Sequence, residues 1–358
     1  MTLSGRAGKF SIWIYRPTLK PKEDIAMPTS ANSRFTIAIV LLLAFCPLTA
    51  RAEQKVGVTE TDDAITIETD ALSAIIRKTG YVSGVKAGSF IDKKTGAHDL
   101  GFGLHIQDWL MAPGWREDGY PRDPKLHGNL PKHIVEGPQL CTQAKVVTAK
   151  VIRGEGFAAV LLGYTYTKPG PGFKAGSTWE QTLIFQPGVR YFLSAERITS
   201  VNDADDLFYR LDMPGHIKHK GADTFEQVYL SYLDKMIPAS AFSENFGPDE
   251  KFLYRRRDDA IPRRMIRAYQ VKLDGKPGPW LAGMTLDPAE TSEAWCHERG
   301  YVCFIEELHR RHVNAGESFG AAYCIGWFDD VTQMQNVYDR YKGAKRIVVA
   351  GGKFNLEK

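Results

Sequence analysis

From Asp63 onward the hydrophobic positions recur mostly every second residue. "DAITIETDALSAIIRK" (63–78), "AKVVTAKVIRG" (144–154), "FAAVLLGYTYTK" (157–168), "STWEQTLIFQPG" (177–188) and "RYFLSAERITSVN" (190–202) all alternate apolar and polar side chains. That is the period of a strand with one face covered. Glycine and proline punctuate these runs at "KPGPGFKAGS", "QPGVR" and "DGKPGPW", where the chain must turn. Helical periodicity is scarce. Its clearest case is "VTQMQNVYDRYKG" (331–343), in which Met334, Val337, Tyr338 and Tyr341 form one face and Gly343 suits a helix stop. The pattern predicts an all-β chain, a large antiparallel sandwich with few short helices. Two stretches resist a strand reading: "DWLMAPGWREDGYPRDPKLHGNLPKH" (108–133) and "SAFSENFGPDEKFLYRRRDDAIPRR" (240–264) are expected to be long loops over a sheet, the first of them ordered.

The first 52 residues break this pattern. From Met27 the chain has a positive Arg34, an apolar run Phe35–Leu48 and a small-x-small site at Ala50-Arg51-Ala52, the layout of a cleavable export signal. The apolar run is short for a membrane span, which needs about 20 residues. Phe45 before Cys46 argues against a lipidated cysteine. Residues 1–52 are therefore expected to be an extension plus signal peptide, with Met27 as the initiator. Residues 53–358 are expected to form a single β-sandwich domain, secreted or periplasmic, with no stable membrane span after cleavage. Of the 46 Lys/Arg and 42 Asp/Glu, seven and two lie in residues 1–52, so the remainder holds 39 and 40. Its net charge is −1 instead of +4, which removes any case for a nucleic-acid partner. Cys141, Cys296, Cys303 and Cys324 remain, too few for a disulfide scaffold; Cys296 and Cys303 can close a small loop or stay as buried thiols.

The candidate chemistry lies in four clusters. In "FYRLDMPGHIKHK" (208–220), Pro214-Gly215 forces a turn that puts His216 and His219 on a loop, open to a ligand. An imidazole there can act as acid, base or metal ligand. Arg210 and Asp212 share one face of the preceding strand; solvated surface charge is the plainer reading. Glu306 and Glu307 must point to opposite sides of a strand, so only one can enter a pocket. "AWCHERGY" puts Trp295, His297, Arg299 and Tyr301 on one alternating face, suited either to sugar stacking and carboxylate binding or to a half-buried strand. "GLHIQDWLMAPGW" and "LHGNLPKH", which lead into and close the first long loop, add His105, Asp108, Trp109, Trp115, His127 and His133. The arginines of "YRRRDDAIPRR" read mainly as solvated and compensated by Asp258 and Asp259. No GxSxG, HExxH, P-loop or dinucleotide fingerprint occurs.

Two segments resemble the galactose mutarotase-like superfamily of β-supersandwich proteins. "RYFLSAERITSVNDADDLFYRLDMPGH" is similar to that superfamily's central strand–turn–strand with its histidine. "GYVCFIEELHRRHVNAGESFGAAYCIGWF" is similar to its closing segment, where a strand ends in a catalytic glutamate and a Gly-Glu turn follows. The resemblance implies a carbohydrate-active fold and favours Glu306 as the carboxylate. Ile217, where sugar 1-epimerases have an aromatic residue, argues against simple mutarotation. The leading expectation is an exported polysaccharide lyase acting on a uronate glycan by β-elimination. Arg197 or Arg210 would neutralise the carboxylate, His216 or Tyr229 would be the base, and Tyr301 or Glu306 the acid. The alternatives are a mutarotase- or glycosidase-like enzyme pairing Glu306 with His216, and a non-catalytic glycan-binding protein. The partner is a poly- or oligosaccharide in each case. The sequence assigns no cofactor, and a divalent cation is one way to neutralise a uronate.

Overall fold

The structure is a computed structural model that describes residues 56–81, 84–114, 131–143, 148–218 and 224–358. The leader expectation, His127, His219 and Trp115 lie outside the described residues. All strand pairings are antiparallel. A nine-stranded sheet runs from Lys235–Pro238 at one edge to Thr148–Gly154 at the other, with Ser318–Phe328 at its centre. A seven-stranded sheet runs from Phe246–Arg255 to Lys168–Pro169, with Ala204–Asp212 at its centre. A four-stranded sheet precedes them (Gly57–Glu60 to Ile91–Asp92), and a hairpin, Arg346–Ala350 with Lys353–Glu357, ends the chain. The fold is the expected all-β sandwich, and among the described residues no helix is long and apolar enough to cross a membrane.

Alternation along each strand explains the layers. In Tyr191–Thr199 of the nine-stranded sheet, Phe192 and Ile198 enter the core shared with the seven-stranded sheet. Tyr191, Leu193 and Ala195 face away from it. That outer face is covered by the helix Val331–Tyr341 and the terminal hairpin, through Met334, Tyr338 and Ile347. Apolar side chains are thus buried on both faces of the large sheet, and each large one is worth about 1.5–3 kcal/mol of transfer free energy. The helix is the one expected. Asp330 caps it by accepting from the backbone N–H of Gln333, and Gly343 beyond its end has φ +85°, where a side chain would be strained.

Both expected loops are corrected in part, residues 115–130 of the first lying outside the described residues. Asp108–Pro113 belongs to the strand Ile106–Pro113, and Lys132 opens the strand Lys132–Gly137. The second stretch holds a 3₁₀ turn, Ala239–Phe242, and the edge strand Phe246–Arg255. Its Pro, Gly and charged residues hide an edge strand whose pairing with Thr291–Glu298 is broken by register shifts. The four cysteines are free and buried, so Cys296 and Cys303 form no disulfide.

Candidate functional site

The inner face of the seven-stranded sheet packs on the nine-stranded one, which leaves its outer face to form a site. Along Ala204–Asp212, Tyr209 and Leu211 point into the core, while Arg210 and Asp212 point out. Along Val302–Val313 the outward set is Cys303, Ile305 and Glu307. Trp295 and His297 stand beside them on Thr291–Glu298, directly across from Ile305 and Cys303. The strand Ile106–Pro113 contributes through a bulge. Tyr209 pairs with Leu110 and Leu211 with Gln107, so Arg210 alone faces both Asp108 and Trp109. That extra residue turns both side chains toward the outer face, where strict alternation would send one inward.

These residues line a cavity of about 410 Å³, closed by Tyr81, Phe102, Gln139, Cys141, Arg299 and Tyr301. His216 reaches it through the turn Met213–Ile217. The turn is threaded so tightly that a Cβ on Gly215, at φ +87°, would lie 1.7 Å from the carbonyl oxygen of Gly103. A Cβ on Gly101 would lie 1.6 Å from the carbonyl oxygen of His216. Ile217 then bridges to both Gly101 and Val302, which pins the histidine from two sides.

At the cavity's centre is a dyad. His216 Nε2 lies 2.5 Å from Asp212 Oδ2, and Asp212 Oδ1 accepts from the backbone N–H of Phe304 at 2.8 Å. The Tyr301 ring stacks on His216 at 4.9 Å, and Phe102 meets both rings edge-on. Burial pushes the Asp212 carboxyl up, but the neighbouring His216 outweighs it and holds the carboxyl below its usual range. Conversely, burial pulls the His216 imidazole down, and Asp212 more than restores it, leaving it raised. At His297 burial outweighs the more distant Asp212 carboxylate and lowers the imidazole to about 4, so it is neutral at physiological pH. Burial raises Asp108 despite the opposing charge of Arg210, and burial raises the Tyr301 phenol. The cavity therefore sets an ion-pairing carboxylate and imidazole beside a neutral imidazole, a carboxyl raised by burial and a raised phenol.

Behind Trp295 lies a buried ion network. Lys132 is fully buried, donates to Glu307 at 2.8 Å, sits 3.5 Å from Glu293, and lies 4.7 Å from the Trp295 ring. Arg210 donates to Glu307 at 2.8 Å. Burial would raise the Glu307 carboxyl, but Lys132 and then Arg210 bring it below its usual value. Glu307 thereby fixes Arg210 at the cavity wall.

His216, Asp212, Arg210, Tyr301, Trp109, Trp295, His297 and Arg299 are all brought to this cavity. Others expected at the site stand elsewhere. Glu306 is corrected first: it points inward, fully buried, accepting from Arg267 of the other sheet and from Thr285 at 2.7 Å and Thr291. Arg197 is an exposed residue of the nine-stranded sheet paired with Glu180. Tyr229 is on that sheet's far face, accepting from Gln335 of the helix at 3.0 Å. His105 is buried, with Nε2 2.8 Å from Glu196. His133 lies in the cavity sheet, away from the cavity lining, stacked on Phe173 with Nδ1 2.8 Å from the Gly114 carbonyl oxygen. The sequence reading missed Tyr81, Phe102, Cys303 and the Lys132–Glu307 pair. One signal was present: Val302, Phe304 and Leu308 form the more apolar stripe of their strand and carry Glu306 with them into the core.

No family model and no curated protein matches this chain. Among solved structures it is similar to an aldose 1-epimerase described as putative from Klebsiella pneumoniae, at 10% identity and TM-score 0.43, covering 79% of this chain and 84% of that one. It is similar to a galactose 1-epimerase from Lactobacillus acidophilus, at 10% identity and TM-score 0.41, covering 76% and 98%. A GH36 α-galactosidase from Geobacillus stearothermophilus gives 11% identity and TM-score 0.43, covering 82% of this chain and 44% of the galactosidase. At these values the likenesses bear on no step of the site's chemistry.

Proposed function

We propose that the cavity is the catalytic site of a carbohydrate-active enzyme that cleaves a uronate-containing glycan by β-elimination. The observation that carries this reading is the His216–Asp212 dyad with Tyr301 stacked on it, in one cavity with Arg210 and Arg299. Elimination needs a base at the carbon bearing the carboxylate, an acid at the leaving oxygen and positive charge for the carboxylate. His216 in its neutral form takes the C5 proton. The C–H electron pair becomes the C4–C5 double bond, the C4–O bond breaks, and the Tyr301 phenol protonates the departing oxygen. Arg210 and Arg299 make that proton removable by neutralising the uronate, and Asp212 orients the imidazole and stabilises it once protonated. Phe102, Trp109 and Trp295 offer ring faces against which a pyranose packs.

The carboxylate–histidine alternative loses its carboxylate, because Glu306 is turned away from His216 and locked between the sheets. Contact with a polymeric substrate fits an exported chain, the role that the leader pattern of residues 27–52 would serve. The decisive experiment incubates the protein with a panel of uronate polysaccharides, a chelator present, and follows the ultraviolet absorbance of the unsaturated product. Wild type should raise the signal, while His216→Ala and Tyr301→Phe should each slow it by about 10²–10⁴-fold. New reducing ends without absorbance would mean hydrolysis and overturn elimination, as would saturable binding without any product.

A further inference from the structure

Beside the His216–Asp212 dyad the cavity also holds Cys303, a donor that elimination does not use. We propose that Asp212, His216 and Cys303 form a binding site for a thiophilic divalent cation of the zinc class. One ligand atom from each, a carboxylate oxygen, an imidazole nitrogen and a sulfur, lies within 4.8 Å of the other two. The three come from separate places: the end of one strand, the far side of the Met213–Gly215 turn, and the start of the neighbouring strand. A set converging from three places is more selective than side chains adjacent in sequence. The proposal does not rest on the elimination reading.

A second observation is independent of the spacing. Asp212 is 2% exposed, and its Oδ1 is taken by the Phe304 N–H, which turns Oδ2 toward the cavity. Oδ2 thus faces His216 Nε2, 2.5 Å away, and the Cys303 sulfur, so the carboxylate oxygen is the point at which the other two donors meet. The mixed N, S and O set suits zinc-class ions, whereas calcium and magnesium take oxygen ligands. Three protein ligands leave a fourth position facing the cavity. His297 stands across the strand pair from Cys303, and its buried Nδ1 has no hydrogen-bond partner, so it is the nearest further donor. Binding converts the Cys303 thiol to a thiolate and releases its proton, together with any proton shared by His216 and Asp212.

The test titrates metal-free protein with Co²⁺ in the absence of glycan and reads the thiolate-to-cobalt charge-transfer absorbance. A saturable band is expected that Zn²⁺ displaces, that is lost in Cys303→Ser, and that persists in Cys141→Ser. His216→Ala and Asp212→Asn should weaken Co²⁺ binding by at least about tenfold. Circular dichroism melts establish that each variant is folded. No band in folded wild type, or a band that survives Cys303→Ser, would overturn the site. Elimination is assayed separately with chelator present, so a chain that binds cobalt without cleaving glycan fails the functional reading alone.

Discussion

At the scale of the residue, the site turns on how Asp212 and His216 set each other's charge. His216 is raised, so the neutral base accumulates only above the ordinary imidazole range, and the acid limb of the pH–rate profile should lie there too. The ion pair also contributes stability. For His216 that contribution is complete below its unfolded pKa and is lost as pH rises through its raised folded value. For Asp212 it is present above the unfolded carboxyl value and is lost as pH falls through the lowered folded value. Asp212→Asn removes the carboxylate and leaves burial, which pulls an imidazole down. The acid limb should move to lower pH while the maximal rate falls, because the ring loses the partner that aims it. Initial rates across pH, in chelator, would check this; a limb that stays put would mean that another group titrates there.

At the scale of the element, positions the sequence left ambiguous are decided by irregular backbone. Alternation placed Arg210 with Asp212, and Trp295 with His297, because the pairing of those strands with Val302–Val313 is regular over Phe208–Asp212 and Glu293–Glu298, where period two holds. It could not reveal the bulge that turns Asp108 and Trp109 to one side, since a bulge is defined by the partner strand's register. Nor could it place Tyr81 and Phe102, which arrive from segments distant in sequence. Glu306 was legible from its apolar stripe, Val302, Phe304 and Leu308, and the family resemblance pointed the other way. His105, Arg197 and Tyr229 carry suitable chemistry on the wrong layer, which a single sequence does not encode locally. The Met213–Ile217 turn has its own test. A methyl at Gly101 meets the carbonyl of His216, a backbone atom that cannot yield without moving the histidine. Gly101→Ala should cost about 1–3 kcal/mol of stability and lower kcat more than it raises KM. Thermal melts with steady-state rates would measure both; a loss of stability with kcat intact would show that the turn is merely structural.

At the scale of the whole molecule, the two large sheets are joined by more than apolar contact. Arg267 crosses from the nine-stranded sheet to donate to the Phe304 carbonyl at 3.1 Å and to the Glu306 carboxylate, all fully buried. Thr285 of the same sheet and Thr291 of the other donate to that carboxylate too, so its lone pairs are used on both sides. Such a pair is expensive to assemble and still more expensive to break, because the surviving charge has no water to turn to. Glu306→Gln keeps the shape and an acceptor but leaves Arg267 uncompensated, and should destabilise the fold by about 3–5 kcal/mol. Replacing both partners, Glu306→Leu with Arg267→Met, should recover most of that loss. Denaturant midpoints of the three chains would show the non-additivity. Activity decides the remaining question: per folded molecule, Glu306→Gln should turn over within about twofold of wild type, whereas a catalytic acid or base at this position would cost about 10²-fold or more. A loss of that size with the fold intact would return Glu306 to the chemistry and oblige the sheets to separate for it to act.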